Sequence, residues 1–96
     1  MDLQQFTKVS KALADPQRFA ILERIAGQGG ELACKKLVEE FNVSQATISH
    51  HLKELNNAGL IECRREGQCA FLTARRSTLA AYQRELARRV PGQEPG

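Results

Sequence analysis

The hydrophobic residues in the first half of the chain recur every three or four positions, the spacing of a helix that buries one face. A first helix is predicted over residues 3–13. A second begins at Pro16 behind Asp15, because aspartate caps a helix and proline loses no hydrogen bond at the first helical position. Gly27 ends this helix. The residues expected on its inner face are Phe19, Leu22 and Ile25, with Ile21 beside them.

Two further helices follow, joined by a tight turn. The third is predicted over about residues 32–41 and ends at Asn42, a residue that tolerates the left-handed backbone conformation. The fourth begins after Ser44, whose hydroxyl is suited to cap it, and ends near Gly59. The residues predicted on its buried face are Ile48, Leu52 and Leu55.

The pattern changes after Gly59, where short apolar runs flank a turn and predict a β-hairpin. Residues 60–63 form the outgoing strand, RREGQ the turn, and residues 69–73 the returning strand. A last helix is predicted over residues 77–90. Its apolar stripe would either join two copies of the chain or close the core of one; the stripe is Leu79, Tyr82, Leu86 and Val90.

Four helices, a hairpin and a final helix make a mostly α-helical fold with a small β-hairpin. This order, with the tight turn between the third and fourth helices, predicts a winged helix-turn-helix. The tail PGQEPG, residues 91–96, has nothing to bury and is predicted to be disordered.

The size of the chain, 96 residues, suits one small domain with a limited core, which favours an oligomer. No apolar run reaches the ~18 residues of a membrane span, and the N-terminus lacks the pattern of a signal peptide. A cytoplasmic protein without a membrane partner is therefore expected. The three cysteines cannot all pair within one chain and are expected to be thiols.

The charge is unevenly distributed along the chain. Residues 1–43 carry six Lys/Arg and six Asp/Glu, whereas residues 44–96 carry eight and five. The net charge of +3 therefore lies in the second half, and an acidic partner such as double-stranded DNA would bind there.

The stretch SQATISHHLKEL, residues 44–55, holds two adjacent histidines beside hydroxyl side chains. Neighbouring residues on a helix diverge by about 100°, so His50 and His51 do not chelate one metal, and Ser49 and His50 do not converge as nucleophile and base. His50 points about 200° away from the buried face, whereas His51 lies at its edge. Neither a metal site nor a catalytic site is predicted, and the protein is not expected to be an enzyme.

The outward face of the fourth helix carries side chains that suit DNA instead. Residues near the N-terminus of the second helix of a helix-turn-helix enter the major groove. Arginines on the hairpin suit phosphates or a minor groove, although they would also keep an exposed hairpin soluble. The candidate DNA-binding residues are Gln45, Ala46, Thr47, Ser49, His50, Lys53, Arg64 and Arg65.

Three segments, ALADPQRFAIL, VSQATISHHLKELNNAGLI and RREGQCAFL, resemble the ArsR/SmtB family of bacterial winged-helix repressors. The resemblance covers about residues 10–73. It implies a homodimer joined by the first and last helices of a DNA-binding domain over residues 1–90, and a repressor that leaves an inverted-repeat operator when an inducer binds. The positions that touch DNA in family members correspond to Gln45, Ala46, Ser49 and His50, and His51 corresponds to a structural position.

The metal and metalloid sites of relatives are not matched. Arsenite-sensing relatives carry ELCVC in the third helix, where this chain has ELACKKL with one cysteine, Cys34. Relatives that bind zinc, nickel or cobalt on the last helix use Asp, His and Glu, whereas residues 75–90 contain Glu85 as the one acid and no Asp, His or Cys. No metal cofactor is expected at these places.

Cys63 and Cys69 flank the hairpin turn and are a candidate thiol sensor. If residues 65–67 form a three-residue loop, Cys63 faces Cys69, and the pair could bind trivalent arsenic or oxidise to a disulfide. If Glu66 and Gly67 form a two-residue turn, Cys63 faces Ala70, and the thiols point to opposite faces. The turn type therefore decides between a dithiol and two unrelated cysteines.

The predicted function is that of a homodimeric, sequence-specific DNA-binding repressor of the bacterial cytoplasm, which an inducer releases from DNA. If the wing cysteines are the sensor, that inducer is thiol-reactive, such as trivalent arsenic or an oxidant. The alternative is a small thiol, metalloid-binding or redox-relay module that uses the winged fold for protein contacts. Duplex binding that weakens steeply with salt would distinguish the repressor from this module.

Overall fold

Each of the first two helices begins behind an aspartate cap, of which the sequence predicted the second, Asp15. Helix α1 (Leu3–Ala14) starts behind Asp2, whose carboxylate accepts the amide proton of Gln5 at 2.8 Å. Helix α2 (Pro16–Ala26) starts behind Asp15, which accepts an amide proton from the first turn at 2.9 Å. Each cap satisfies an amide that would otherwise lack a partner, so the local sequence sets both helix starts.

The structure, a computed structural model, describes residues 1–92. Pro91 and Gly92 are exposed and follow the last helix without regular structure. The remainder of the tail that was predicted to be disordered, residues 93–96, lies outside the described residues. Within residues 1–92, no helix combines the length and the apolar character that crossing a membrane requires.

The two helices of the helix-turn-helix are α3 (Cys34–Phe41) and α4 (Gln45–Asn57). Asn42 ends α3 with a left-handed φ of 52°, as predicted for that residue. The Ser44 hydroxyl caps α4 and accepts the amide proton of Thr47 at 3.1 Å. These two residues turn the chain sharply, which holds α4 across the body of the domain.

The end of α4 is a Schellman motif centred on Gly59. The amide of Gly59 donates to the carbonyl of Asn56 at 3.0 Å, and the amide of Leu60 donates to the carbonyl of Leu55 at 2.9 Å. Gly59 has a φ of 79°, a conformation that residues with a Cβ rarely adopt. Leu55 and Leu60 are both fully buried, which adds the hydrophobic contact typical of this motif.

We expect Gly59→Ala to lower the free energy of unfolding by about 1–2 kcal/mol, because the added Cβ makes the left-handed conformation costly. The new Cβ would also lie 3.2 Å from Nε2 of Gln5, a flexible side chain that is able to move. Urea unfolding measures the change. Gly30→Ala is the matched control, since Gly30 has no positive φ and a Cβ added there would meet no atom within 4 Å. Equal effects of the two substitutions would show that the φ of Gly59 is not the cause.

The sheet has three strands in the order β1-β3-β2, whereas the sequence predicted a two-stranded hairpin. Strand β1 (Leu32–Ala33) pairs antiparallel with β3 (Cys69–Ala74), which also pairs with β2 (Ile61–Glu66). The extra strand takes the first two residues of the region predicted as helix, so α3 begins at Cys34. Two residues are too few for a strand pattern to be recognised in the sequence.

The hairpin of β2 and β3, residues 61–74, is the wing. Its loop is Gly67–Gln68, because Glu66 is paired with Cys69. Gly67 has a φ of 63°, whereas Gln68 has a negative φ. Both predicted turns were wrong by at least one residue, because Glu66 belongs to the strand and Gln68 to the loop.

The core lies between the helices and one face of the sheet. Every helix except α5 contributes a fully or nearly fully buried apolar side chain, and β2 and β3 contribute one each. Phe19 was predicted to face inward, but it is 42% exposed, whereas Ile21, which was predicted to lie beside that face, is fully buried. The largest core residues are Val9, Ile21, Ile25, Leu32, Leu37, Ile48, Leu55, Leu60, Ile61 and Leu72.

The last helix, α5 (Arg76–Arg89), packs against α1 through one part of its apolar stripe. The rings of Tyr82 and Phe6 stack with centroids 4.9 Å apart, and the Tyr82 hydroxyl lies 2.8 Å from the Ser10 hydroxyl. The other part of the stripe is not covered, since Leu86 is 44% and Val90 69% exposed. The first half of the helix thus helps to close the core, whereas these two apolar side chains near its C-terminal end are left exposed.

Candidate nucleic-acid interface

Helix α4 is held by a buried face and presents an exposed one. Ile48 and Leu55 are fully buried, and the His51 side chain is 7% exposed. The exposed face holds most of the residues predicted to bind DNA: Gln45, Ala46, Ser49, His50 and Lys53. The helical periodicity therefore assigned the two histidines to the correct sides.

Thr47 differs from the other candidates on this helix. Its side chain is only partly exposed, and its hydroxyl lies 2.9 Å from the hydroxyl of Ser44. The backbone amide of the same residue donates to Ser44 as well. Thr47 thus belongs to the cap that begins α4, and this contact explains its position without any bound molecule.

His51 joins α4 to α2. Its Nε2 lies 2.9 Å from Oε1 of Gln17, so Nε2 carries the proton that is donated, and the buried Nδ1 has no partner within the described residues. Burial lowers the pKa of His51 below its ordinary value, and Arg18 and His50 lower it further, against the opposing effect of Asp15. The neutral imidazole is therefore the form that fits the folded protein.

We expect the free energy of unfolding to decrease as pH falls below about 6.5, because the unfolded chain binds a proton at His51 more readily than the folded chain does. Denaturant unfolding at successive pH values between neutrality and mild acid measures this loss. His51→Gln should remove it, whereas His50→Gln, at an exposed position, should keep it. A parent protein whose stability is the same across this range would contradict the expectation.

The wing places its two arginines on opposite faces, because Arg64 pairs with Phe71 and Arg65 with Ala70. The guanidinium of Arg64 lies 4.7 Å from the centre of the Phe71 ring on the outer face. It also donates to two carboxylates, those of Glu31 and Glu66, which raise its pKa. Arg65 lies on the face that looks towards α4.

A groove of about 850 Å³ separates the wing from α3 and α4. Gln45, Ser49 and Lys53 line one wall and Arg65 lines the other. The floor between these walls is apolar; it includes Val38, Leu52, Ile61 and Leu72. The fold thus brings six of the eight predicted DNA-binding residues to the helix face and the groove beside it, whereas Arg64 lies outside the groove and Thr47 lies in the cap.

The cysteines of the wing do not form a dithiol. Cys63 is paired with Leu72 and Cys69 with Glu66, so their side chains point to opposite faces of the hairpin. The predicted register that opposes Cys63 and Cys69 is therefore wrong. The alternative, a turn of Glu66 and Gly67, was right that the two thiols point to opposite faces but wrong that Cys63 faces Ala70. A single bound arsenic or a disulfide between these two thiols is excluded by this register.

Cys34, Cys63 and Cys69 all line the groove, and Cys34 lies close enough to Cys63 for the two thiols to interact electrostatically. Burial raises the pKa of the Cys34 thiol, and the nearby Cys63 raises it further, while Arg65 opposes both. This neighbour could not be found from the sequence, because the two cysteines are far apart along the chain and their elements meet only in the fold. Among residues 1–92, no three His, Cys, Asp or Glu side chains come together in a group suited to a metal ion.

Comparison with known proteins agrees with this geometry. A helix-turn-helix domain family matches residues 13–64. The transcriptional repressor SdpR of Bacillus subtilis is 37% identical over 71 residues, which are 74% of this chain and 77% of the repressor. An ArsR-like transcriptional regulator from Rhodococcus sp. RHA1 superposes with a TM-score of 0.78 at 27% identity, covering 88% of this chain and 78% of that structure.

The chain belongs to the ArsR/SmtB family. It is a DNA-binding transcriptional regulator and not an enzyme, as the sequence predicted. The solution structure of a homodimeric winged helix-turn-helix DNA-binding domain from Mycobacterium bovis is also similar. Its TM-score is 0.72 at 27% identity, with 98% of this chain and 88% of that one covered. Within this winged helix-turn-helix, α4 occupies the position of the recognition helix, and residues 61–74 form the wing.

Proposed function

We propose that the protein is a cytoplasmic homodimeric repressor that binds an inverted-repeat operator and leaves it when an inducer binds. Each protomer would place α4 in the major groove of one half-site and its wing beside the adjoining backbone. The observation that carries this proposal is the exposed polar face of α4, which lies across one groove from a cationic wing residue.

The bases would be contacted by the first two turns of α4. Gln45 has the amide that bonds an adenine edge in a bidentate manner, and Ser49 and His50 offer donors and acceptors one turn further on. Ala46 leaves room for the DNA and is apolar enough to contact a thymine methyl. All four are exposed, so contact with DNA requires no side chain to leave the core.

The phosphates would be contacted by Lys53 and Arg65. None of the ion pairs within residues 1–92 involves either side chain, so both charges are available to an anion. They also lie on opposite walls of the same groove. Their attraction to phosphate would make binding fall steeply with salt, because bound counterions are released.

The dimer would form through α1 and α5. Leu3 on α1 is 56% exposed, and Leu86 on α5 and Val90 directly after it are also exposed, although these two helices pack against one another. Exposed apolar side chains on one pair of helices indicate a surface that a partner covers. The similar domain from Mycobacterium bovis is homodimeric, which supports a second copy of the chain as that partner.

The inducer would act on the groove or on the dimer. A thiol-reactive inducer would act at one of the three cysteines that line the groove, Cys34, Cys63 and Cys69, and not on a pair of Cys63 with Cys69. The alternative function, a thiol or redox module, loses its main support, because the wing cysteines do not face one another.

The proposed function is tested by selection from a random duplex pool with purified, reduced protein. An enriched inverted repeat with half-site centres about 34 Å apart would support the dimeric repressor. A half-site enriched without its repeat would support a monomeric DNA-binding protein. No enrichment at low salt would overturn sequence-specific binding.

A further inference from the structure

Arg64 and Arg65 are adjacent on the wing, yet the structure gives them different surroundings. Strand alternation directs Arg65 towards α4 and Arg64 towards the other face of the sheet. Both are exposed, so burial does not separate them. The difference lies in their partners: Arg64 donates to carboxylates, whereas no ion pair within residues 1–92 includes Arg65.

The Arg64 cluster consists of Arg64, Glu31, Glu66 and Phe71. Nε and Nη2 of Arg64 donate to the two oxygens of Glu31 at 2.7 and 2.8 Å, a bidentate pair. Nη1 donates to Glu66 at 2.7 Å, and the guanidinium plane covers the Phe71 ring. Three of its nitrogens are thus engaged, and two carboxylates surround one cation. A DNA phosphate would be repelled by this cluster rather than attracted to it.

The cluster connects the wing to the body of the domain. Glu31 directly precedes β1, which is paired to the centre of the sheet, whereas Glu66 is the last residue of β2 beside the loop. Residues 62–69 are all exposed, so the outer part of the wing has no apolar core of its own. Its orientation relative to α4 therefore depends on the strand ladder and on the Arg64 cluster.

We propose that Arg64 is a positioning residue, which fixes the angle of the wing through Glu31 and Glu66 so that Arg65 reaches the DNA phosphates. This inference rests on the proposed DNA-binding function, and it gives Arg64, which was predicted to contact DNA, a supporting role instead. In the bound complex Arg64 keeps its carboxylate partners, and Arg65 supplies the cation.

Salt dependence separates the two roles. Binding to a mixed-sequence duplex is measured by fluorescence anisotropy over a series of salt concentrations. Arg65→Ala should reduce the slope of log affinity against log salt by about 1 for each protomer, because one phosphate contact is lost. Arg64→Lys keeps the charge but loses the bidentate geometry; we expect an affinity loss of up to about fivefold per protomer with the slope unchanged.

Glu31→Gln gives the sharpest comparison. Removal of a negative charge near DNA should raise affinity if Arg64 is itself a phosphate contact, since the guanidinium would become free. If Arg64 positions the wing, Glu31→Gln should lower affinity, because the bidentate pair is lost. Glu62→Gln is the matched control, since Glu62 lies on the same strand and the same face as Arg64 but bonds Arg75 outside the cluster. The affinity of the Glu62→Gln variant for DNA should not decrease.

The inference is overturned if Arg64→Lys retains the parent's affinity, or if Glu31→Gln binds DNA more tightly than the parent does. Thermal unfolding of each variant shows whether a loss of affinity merely reflects a loss of fold. A parent protein whose binding is weak and independent of salt would overturn the proposed function itself, together with this inference. If the parent binds with a steep salt slope but Arg64→Lys or Glu31→Gln changes affinity in the way expected of a phosphate contact at Arg64, the positioning role alone is overturned.

Discussion

Leu86→Glu is expected to produce a folded monomer whose affinity for an inverted-repeat operator is reduced by about 10²–10⁴-fold, because a single protomer loses the effective concentration that the second half-site provides. Leu86 is 44% exposed on α5, beside a helix that also exposes Leu3. Its replacement therefore leaves the core intact and puts a charge into the proposed dimer surface. Sedimentation equilibrium measures the mass, and a gel shift with the selected operator measures the affinity.

Arg84→Ala provides the control for this variant. It lowers the net charge by the same single unit and lies on α5 about 200° around the helix from Leu86. It is expected to remain dimeric, so that any effect of net charge on DNA binding is seen without an effect on assembly. A Leu86→Glu protein that still sediments as a dimer would show that the second half of α5 is not the dimer surface.

Gln45→Ala is expected to weaken operator binding by about 2–6 kcal/mol in total, since a base contact of about 1–3 kcal/mol is lost in each of two half-sites. The loss should also relax the preference at one base pair of each half-site, while unrelated duplexes should bind almost as before. A repeat of the pool selection with the variant shows the relaxed position. Affinity for the original operator is measured at constant salt.

Asn57→Ala is the matched control for Gln45→Ala. It removes the same kind of amide from an exposed position of the same helix, but at the C-terminal end, about 18 Å further along the axis. It should leave operator affinity and base preference unchanged. Equal losses in both variants would indicate that α4 does not enter DNA with its N-terminal end.

Much of the fold was predictable because its determinants are local. Asp15 and Ser44 cap their helices through amides three residues away, and Asn42 turns the chain through its own backbone conformation. Such contacts depend on neighbours in sequence, so a residue type at one position is enough to predict them. The exposed face of α4 followed in the same manner from the 100° step between helical residues.

The features that the sequence did not predict are those that depend on distant segments. Phe19 has the helical spacing of a core residue, but the packing of α2 buries Ile21 and leaves Phe19 at the surface. The partner of His51, Gln17, lies on another helix, and no feature of the stretch around His51 points to it. In both places the periodicity of one helix was known, but the arrangement of its neighbours was not.

The sequence by itself determined the order of the helices, the helix-turn-helix, the exposed face of α4 and the family resemblance, because caps, turns and helical periodicity act within a few residues. Only the tertiary structure decided the register of the wing, since a shift of one residue exchanges the faces of Cys63, Arg64 and Cys69 while it leaves the local pattern almost unchanged. The same register set the separate surroundings of Arg64 and Arg65. Pairing between strands is a long-range interaction, and its outcome depends on which side chains the rest of the fold is able to bury or to pair.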